Sequence, residues 1–362
     1  MCTYIGTVRI YFILRTNLFK TEEKHMKKFL AVLLAALMLF TLAACGGNNA
    51  TDGNATDGNA TDGNAAEVIK TITAGTGGTT GTYYAFTTAV GQLLNTDAYT
   101  FNVISTGGSQ ANIEMIADGE AQFAIVQNDV MNYAYEGTNG FAAPITDFSA
   151  IACVYSEVCQ LVATKSSGIK SLADLKGKTV AVGDVGSGVY YNATQILEAA
   201  GLDIDTDIKK VTASFGDSAQ QLKDGSIDAA FITAGAPTTA ITDLATTTDV
   251  VLVDLGKDVI DSLIEKYSFY EKFEATADNT KYDFVTETTS TVAIKATFVV
   301  TNDMSDDQVY EITKNLWEKQ ADIAVAHAKG NEMIKENAVA AVGKVPVHPG
   351  AARYYQEIGV IA

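Results

Sequence analysis

The sequence predicts an α/β protein built as two similar lobes with a cleft between them. Three observations carry this. Short apolar strands alternate with helix-period segments through most of the chain, the pattern of an α/β domain with largely parallel sheets. Two glycine-rich loops, TAGTGGTTGTYYAF (73–86) and GDVGSGVYYNAT (183–194), each follow a strand and open a helix. The two stretches also end alike, in DGEAQFAIV (118–126) and DGSIDAAFI (224–232). Gly77 to Asp118 spans 41 residues and Gly186 to Asp224 spans 38. A weak two-fold repeat of this length implies two units of one plan.

In order along the chain, VIKTITAG (68–75) reads as a strand, and the next helix should bury Phe86, Val90, Leu93 and Leu94. TFNVIST (100–106) is a strand, Ser109 an N-cap and Gly119 a helix stop, and AQFAIVQ (121–127) is the third strand. Residues 148–164 hold two apolar runs around Tyr155-Ser156-Glu157. The plan then restarts with strand TVAVGDV (179–185) and a helix burying Ala193, Ile196, Leu197 and Ala200. Strand KKVTAS (209–214), a further helix and strand IDAAFIT (227–233) follow, the last running into Gly235-Ala236-Pro237. A strand near 291–301 precedes one long helix from about Ser305 to Ala328, burying Val309, Ile312, Leu316 and Ile323.

Residues 26–45 read MKKFLAVLLAALMLFTLAAC, a basic start, an apolar run and small residues before Cys45. That is the layout of a secretory signal peptide. As a helix, 29–44 would be about 24 Å long, short for a hydrocarbon core of ~30 Å. Leu-Ala-Ala-Cys resembles the bacterial lipobox, which implies lipidation of Cys45 and an extracytoplasmic protein anchored to the bacterial cell membrane. Residues 1–25 fit no targeting pattern and read as an upstream extension, with Met26 the start. From Cys45 to residue 65, GGNNA and three copies of TDGNA offer almost no apolar surface to bury. This is a flexible tether of about 20 residues with a reach of roughly 25 Å. The folded region is 66–362.

The chain carries 25 Lys and Arg against 43 Asp and Glu, a net charge of −18. Such a field argues against nucleic acid and against a polybasic lipid contact. The cysteines of the folded region are Cys153 and Cys159. Six apart on one extended strand they lie about 20 Å from each other, so they pair only if the chain turns at 155–157; two buried thiols are the favoured reading. His327 and His348 are the only histidines of the folded region, so neither a metal cluster nor a Cys–His nucleophile pair is expected.

The two loops are the candidates for chemistry. Glycines permit close approach of backbone to ligand, hydroxyls add donors, and a helix N-terminus presents unpaired N–H groups and positive partial charge. Such a place takes an anion without a cation. Gly75-Thr76-Gly77 invites a dinucleotide reading, but G-x-G-x-x-G needs glycine where Thr80 stands, and no lysine follows to make a phosphate loop. Ser187 sits in G-S-G, but a nucleophile elbow would need glycines where Val185 and Val189 stand. Neither a cofactor nor catalysis is expected. Arg353 is the only arginine after the leader. A bidentate arginine clamp is therefore scarcely available, and an anion must be held by amides and hydroxyls.

From Met26 onward the chain resembles the TAXI class of solute-binding proteins of tripartite ATP-independent periplasmic (TRAP) transporters. GTGGTTGTYY (75–84), STGGSQANIEMI (105–116), AIVQND (124–129) and VYSEVCQLVA (154–163) carry the resemblance, with SLADLKGKTVAVGDVGSG (171–188), DGSIDAAFITAGAP (224–237) and HPGAARYYQEIG (348–359). It departs from the family at Ser156, where the Y-P-E turn has proline. The resemblance implies a type II periplasmic-binding-protein, Venus-flytrap fold, with one lobe at about 66–154 plus 292–362 and the other at about 155–291. It implies capture of a small organic anion, glutamate or a related acid, by a monomer that feeds a TRAP membrane permease. By position the contacts would be Thr76, Gly77, Gly78, Thr79, Tyr83, Ser109, Asn112 and Gln127 in one lobe and Glu157 at the crossover. Ser187, Gly188 and the Gly235-Ala236-Pro237 turn would come from the other lobe. A ligand sensor or ABC-type binding protein on the same fold is the alternative reading, and an exported hydrolase a further one.

Overall fold

Residues 68–362 are described by a computed structural model. The leader, Cys45 and the tether lie outside the described residues. The first α/β unit runs β1 (Thr71–Gly75), α1 (Thr82–Leu94), β2 (Thr100–Ile104), α2 (Ser109–Ala117), β3 (Phe123–Gln127) and α3 (Asn128–Glu136). After β4 (Phe148–Thr164) the second runs β5 (Thr179–Ala181), α4 (Val189–Ala199), β6 (Lys209–Val211), α5 (Phe215–Lys223), β7 (Ala229–Ala234) and α6 (Thr239–Ala245). The chain continues as β8 (Val250–Leu252), α7 (Lys257–Lys266), β9 (Glu271–Ala275), α8 (Ala277–Thr280) and β10 (Thr289–Thr301). It ends with α9 (Asp306–Glu318), α10 (Gln320–Ala326) and α11 (Pro349–Glu357).

The strand order β2-β1-β3-β10-β4-β7-β5-β6 has the same plan at both ends. In each unit the first strand lies between the second and third, all parallel: Ile72 faces Phe101 and Ala74 faces Phe123, while Val180 faces both Lys210 and Ala229. The repeated sequence is thus a repeated topology. Parallel strands joined by a short helix place every strand's C-terminal end, and every following helix N-terminus, on one edge of the unit.

Two long strands join the units. β4 pairs with β10 through its first half and with β7 through its second, antiparallel in both. β4 feeds four buried clusters: Ile151 and Tyr155 join one with Phe86 and Phe298, and Phe148 and Cys153 one with Ile113 and Met131. Beyond Glu157 the strand passes into the second unit, Leu161 packing with Ile196 and Phe231, and Val162 with Ile232 and Tyr282. The β4–β10 register slips at Ala296/Thr297 and at Phe298/Val299, beside this passage.

Several local expectations change. The helix expected from Ser305 to Ala328 is capped by Ser305, whose Oγ accepts from Gln308 N at 3.3 Å, but it breaks at Lys319 into α9 and α10. There the Lys319 ammonium donates to Leu93 O at 2.6 Å, tying the break to the end of α1. Strand 179–185 stops at Ala181, because Gly183 and Gly186 take left-handed φ of +95° and +78°. Ser109 is the first residue of α2, not its cap; the cap is Gly108 at φ +116°. Leu93 is only partly buried. Tyr155-Ser156-Glu157 makes no turn but continues β4, leaving Cys153 and Cys159 buried and free. No helix among the described residues is long and apolar enough to cross a membrane.

Candidate binding cleft

The strand ends of both units face a cleft enclosing about 520 Å³, part of it open to solvent. Helix starts dominate its lining: Thr82 and Tyr83 of α1, Gly108 and Ser109 of α2, Gly188 and Val189 of α4, Ser214 and Phe215 of α5. Gln127, the cap of α3, is a further lining residue. α1, α2 and α4 each begin at a glycine, with no side-chain cap and no acidic residue in the first turn. Their unpaired N–H groups and positive ends are therefore unopposed by the helices' own side chains. α5 differs, since Ser214 Oγ accepts from Asp217 N.

The two units meet around this cleft. Ala111 N donates to Gly186 O at 3.1 Å, the Tyr191 hydroxyl to Gln110 Oε1 at 2.7 Å, and Thr82 Oγ1 to Gly235 O at 2.8 Å. Deeper in, Gln127 Nε2 donates to Asn192 Oδ1 at 3.2 Å, and Asn192 Nδ2 to Asp129 Oδ2 at 2.9 Å. Glycine is required where the backbones touch: a Cβ on Gly107 would lie 2.4 Å from Val185 O. Two buried polar atoms of the lining, Gln127 Oε1 and Ser187 Oγ, have no hydrogen-bond partner.

Glu157 forms the floor, 1% exposed, and Tyr83 Oη donates to its Oε1 at 2.6 Å. Burial first, then the nearby Asp129, pushes its carboxyl well above the usual range, against the Tyr83 hydrogen bond and Lys329. Asp129, fully enclosed, is raised to about 7 by burial, although Val130 N and Asn192 donate to it.

Of the residues singled out from the sequence, Gly77, Gly78, Tyr83, Ser109, Gln127, Glu157, Ser187 and Gly188 line this one cleft. Thr76, Thr79, Asn112, Gly235 and Pro237 do not. Thr76 and Asn112 shape the first loop from behind: Thr76 Oγ1 donates to Ile104 O at 2.6 Å, and Asn112 Nδ2 donates to Thr76 O at 2.7 Å and Ile125 O at 2.8 Å. Thr79 and Pro237 are exposed. Gly235 and Ala236 are buried, Gly235 accepting from Thr82. The lining also includes Thr82, Gly107, Gly108, Asp184, Val189, Ser214, Phe215, Thr233 and Ala234. The repeat could have found Ser214 and Phe215, since α5 occupies in the second unit the place of α2 in the first. His348 caps α11 through Nδ1, and His327 Nδ1 accepts from Lys329 N, so both histidines have local structural work outside the lining.

The model of the NMT1-like family matches residues 74–359, both units and the strands that join them. The chain belongs to the NMT1-like family. Among solved structures, this family member is similar to MatC from Rhodopseudomonas palustris with bound malate: 14% identity, 80% of this chain and 97% of that one, TM-score 0.53. A protein from Bordetella bronchiseptica RB50 gives 16% identity, 80% and 98% coverage and a TM-score of 0.53. The alkanesulfonate-binding protein SsuA from Xanthomonas axonopodis pv. citri bound to MOPS gives 15%, 80% and 84%, at 0.46. At such identities the likeness is one of fold. The NMT1-like chain has the type II periplasmic-binding-protein fold that the resemblance implied.

Proposed function

We propose that the protein is an extracytoplasmic lipoprotein, tethered through Cys45, that captures a small organic anion between its two lobes. It then delivers the anion, a glutamate-like or other carboxylate, to a TRAP-type permease. The observation that carries the capture is the convergence of uncapped helix N-termini on a cleft to which the chain brings no arginine. One helix end in water gives an anion about 0.3–1 kcal/mol. Several ends acting together in a desolvated cleft give more, because each hydrogen bond to a charged group is worth about 1.5–3 kcal/mol. The malate held by MatC is a carboxylate of the expected size. The TRAP assignment rests on the TAXI-like segments at 75–84, 105–116, 124–129 and 154–163.

A thermal-shift and native-mass-spectrometry screen of the mature protein against small carboxylates tests this. The expected result is a one-to-one complex with at least one acid and a rise in melting temperature. Indifference to every acid, with binding of a neutral solute, would refute anion capture. A neighbouring gene for an ABC-type ATPase, in place of a many-helix permease, would overturn the TRAP assignment alone.

A further inference from the structure

A contact between the units lies outside the cleft lining, at the start of α3. Asp129 there is 0% exposed, as is Asn192 of α4 in the opposite unit, and Asn192 Nδ2 donates to Asp129 Oδ2 at 2.9 Å. The contact continues as a chain across the seam. Asn192 Nδ2 also donates to the Tyr270 hydroxyl at 3.0 Å, Tyr270 Oη to Gln195 Oε1 at 2.6 Å, and Gln195 Nε2 back to Tyr133 Oη of α3 at 2.9 Å. Both donors to the Asp129 carboxyl are neutral, the second being Val130 N at 2.8 Å. The titratable groups that bear on it are Tyr133 of α3, Glu157 and Cys159 of β4, Tyr191 of α4 and Tyr270 ahead of β9, none of them a cation. On the other elements packed against α3, Lys295 of β10 pairs with Glu271, Lys344 pairs with Glu136 at the far end of the helix, and Glu114 of α2 is exposed. Taking a carboxylate out of water costs several kcal/mol, of which the N-terminus of α3 returns only about 0.3–1. Burial accordingly raises Asp129 to about 7.

We propose that this seam is a proton-linked latch: closing the two lobes takes up a proton at Asp129, and opening them releases it. The inference uses the two-lobed hinge but not the identity of the solute, so it stands or falls apart from anion capture. Opening withdraws Asn192 and lets water reach Asp129, which returns toward its ordinary value of 3.8 and ionises. On closing, the carboxylate takes a proton from solvent to form the Asp129 O–H bond, and no other covalent bond changes. Between the two values the closed form holds a proton that the open form has lost. Closure is therefore favoured as pH falls, and the advantage is lost as pH rises through about 7. Within that window each pH unit shifts the closed-to-open ratio by up to about tenfold. Glu157, raised by burial as well, loses cover when the cleft opens and adds in the same direction, so the test has to separate the two.

Solution scattering of the mature protein without solute, from about pH 5 to about pH 8, tests the latch. Wild type is expected to contract reversibly as pH falls, and Glu157→Gln to keep part of that response. Asp129→Asn, neutral at every pH, should lose most of it. Infrared difference spectra between the two pH limits should show a neutral-carboxyl C=O stretch that Asp129→Asn removes, a signature that a merely structural contact would not give. Thermal unfolding checks that each variant is folded at both limits. Wild-type dimensions that do not change with pH would overturn the latch. A response undiminished in Asp129→Asn would overturn its assignment to Asp129. If that variant does not fold, Asn192→Ala takes its place: without the donor from the opposite unit it should stay expanded to lower pH than wild type, and a response identical to wild type would overturn the assignment. Any of these results leaves anion capture standing.

Discussion

Gly188 and Gln127 face each other so closely that a Cβ on residue 188 would fall 1.8 Å from Gln127 Oε1. One belongs to the glycine-rich loop of the second unit, the other to the end of β3 in the first. Real Cβ contacts are never that short, so a side chain at 188 would push the Gln127 amide, the far end of a flexible chain, out of its place.

Gly188→Ala is therefore expected to displace the Gln127 amide and break its 3.2 Å hydrogen bond to Asn192 across the units, without unfolding either. Affinity for the cognate acid should fall at least about tenfold, and solution scattering should no longer contract on adding it. Unchanged affinity together with unchanged contraction would show that the cleft does not close on this contact.

Ser187→Ala and Thr79→Val separate the lining from its surroundings. Ser187 Oγ is buried in the cleft with no partner, so removing it should weaken binding, by roughly 1 kcal/mol. Thr79 is exposed outside the lining, so its substitution should leave affinity within twofold. Equal losses from both would mean that the first loop rearranges around the ligand.

Arg353→Ala should change affinity by less than about 1.5 kcal/mol, a tenfold effect. The guanidinium pairs with Asp307 at 2.8 Å and stacks 4.3 Å from the Tyr310 ring centroid, on the surface made by α9 and α11. Loss of binding in a folded variant would restore the arginine clamp.

Stability should fall as pH rises from about 4 to 7. Asp129 has a folded-state value of about 7 against an ordinary 3.8, so in that window the folded protein holds a proton that the unfolded chain has lost. The stabilisation is complete below the unfolded value and is lost as pH passes the folded one, on the order of 4 kcal/mol in all. Glu157, raised by the same cause, acts in the same direction. Thermal unfolding across pH 4–8 should show the decline, and Asp129→Asn should make it shallower.

Neither thiol should react with a disulfide reagent in the native protein. Burial pushes both Cys153 and Cys159 up, away from the reactive thiolate, and each lies in a packed face of β4. Two thiols should titrate on unfolding, with no change in melting temperature under reducing agent. A native mass lower by two hydrogens would show that they pair.

The sequence alone determined what local period and repetition can determine. Strand–loop–helix alternation and the matched endings at Asp118 and Asp224 were enough for two α/β units of one plan, because strand connection and helix start are set within about ten residues of chain. The glycine loops were legible for the same reason, and eight of the chosen residues line the cleft. Only the tertiary structure decided the rest. Thr76 and Asn112 look like donors in sequence, yet they bond to Ile104, Thr76 and Ile125 carbonyls, partners fixed by β2 and β3 lying either side of β1. Phe215 carries no mark of a site in its own segment, yet at the start of α5 it stands in the wall of the cleft. Ser156 continues a strand where a turn was conceivable, since β4 is paired with β10 on one side of that point and with β7 beyond it. Burial and hydrogen bonding across units are sums over residues far apart in the chain, and no local pattern encodes them.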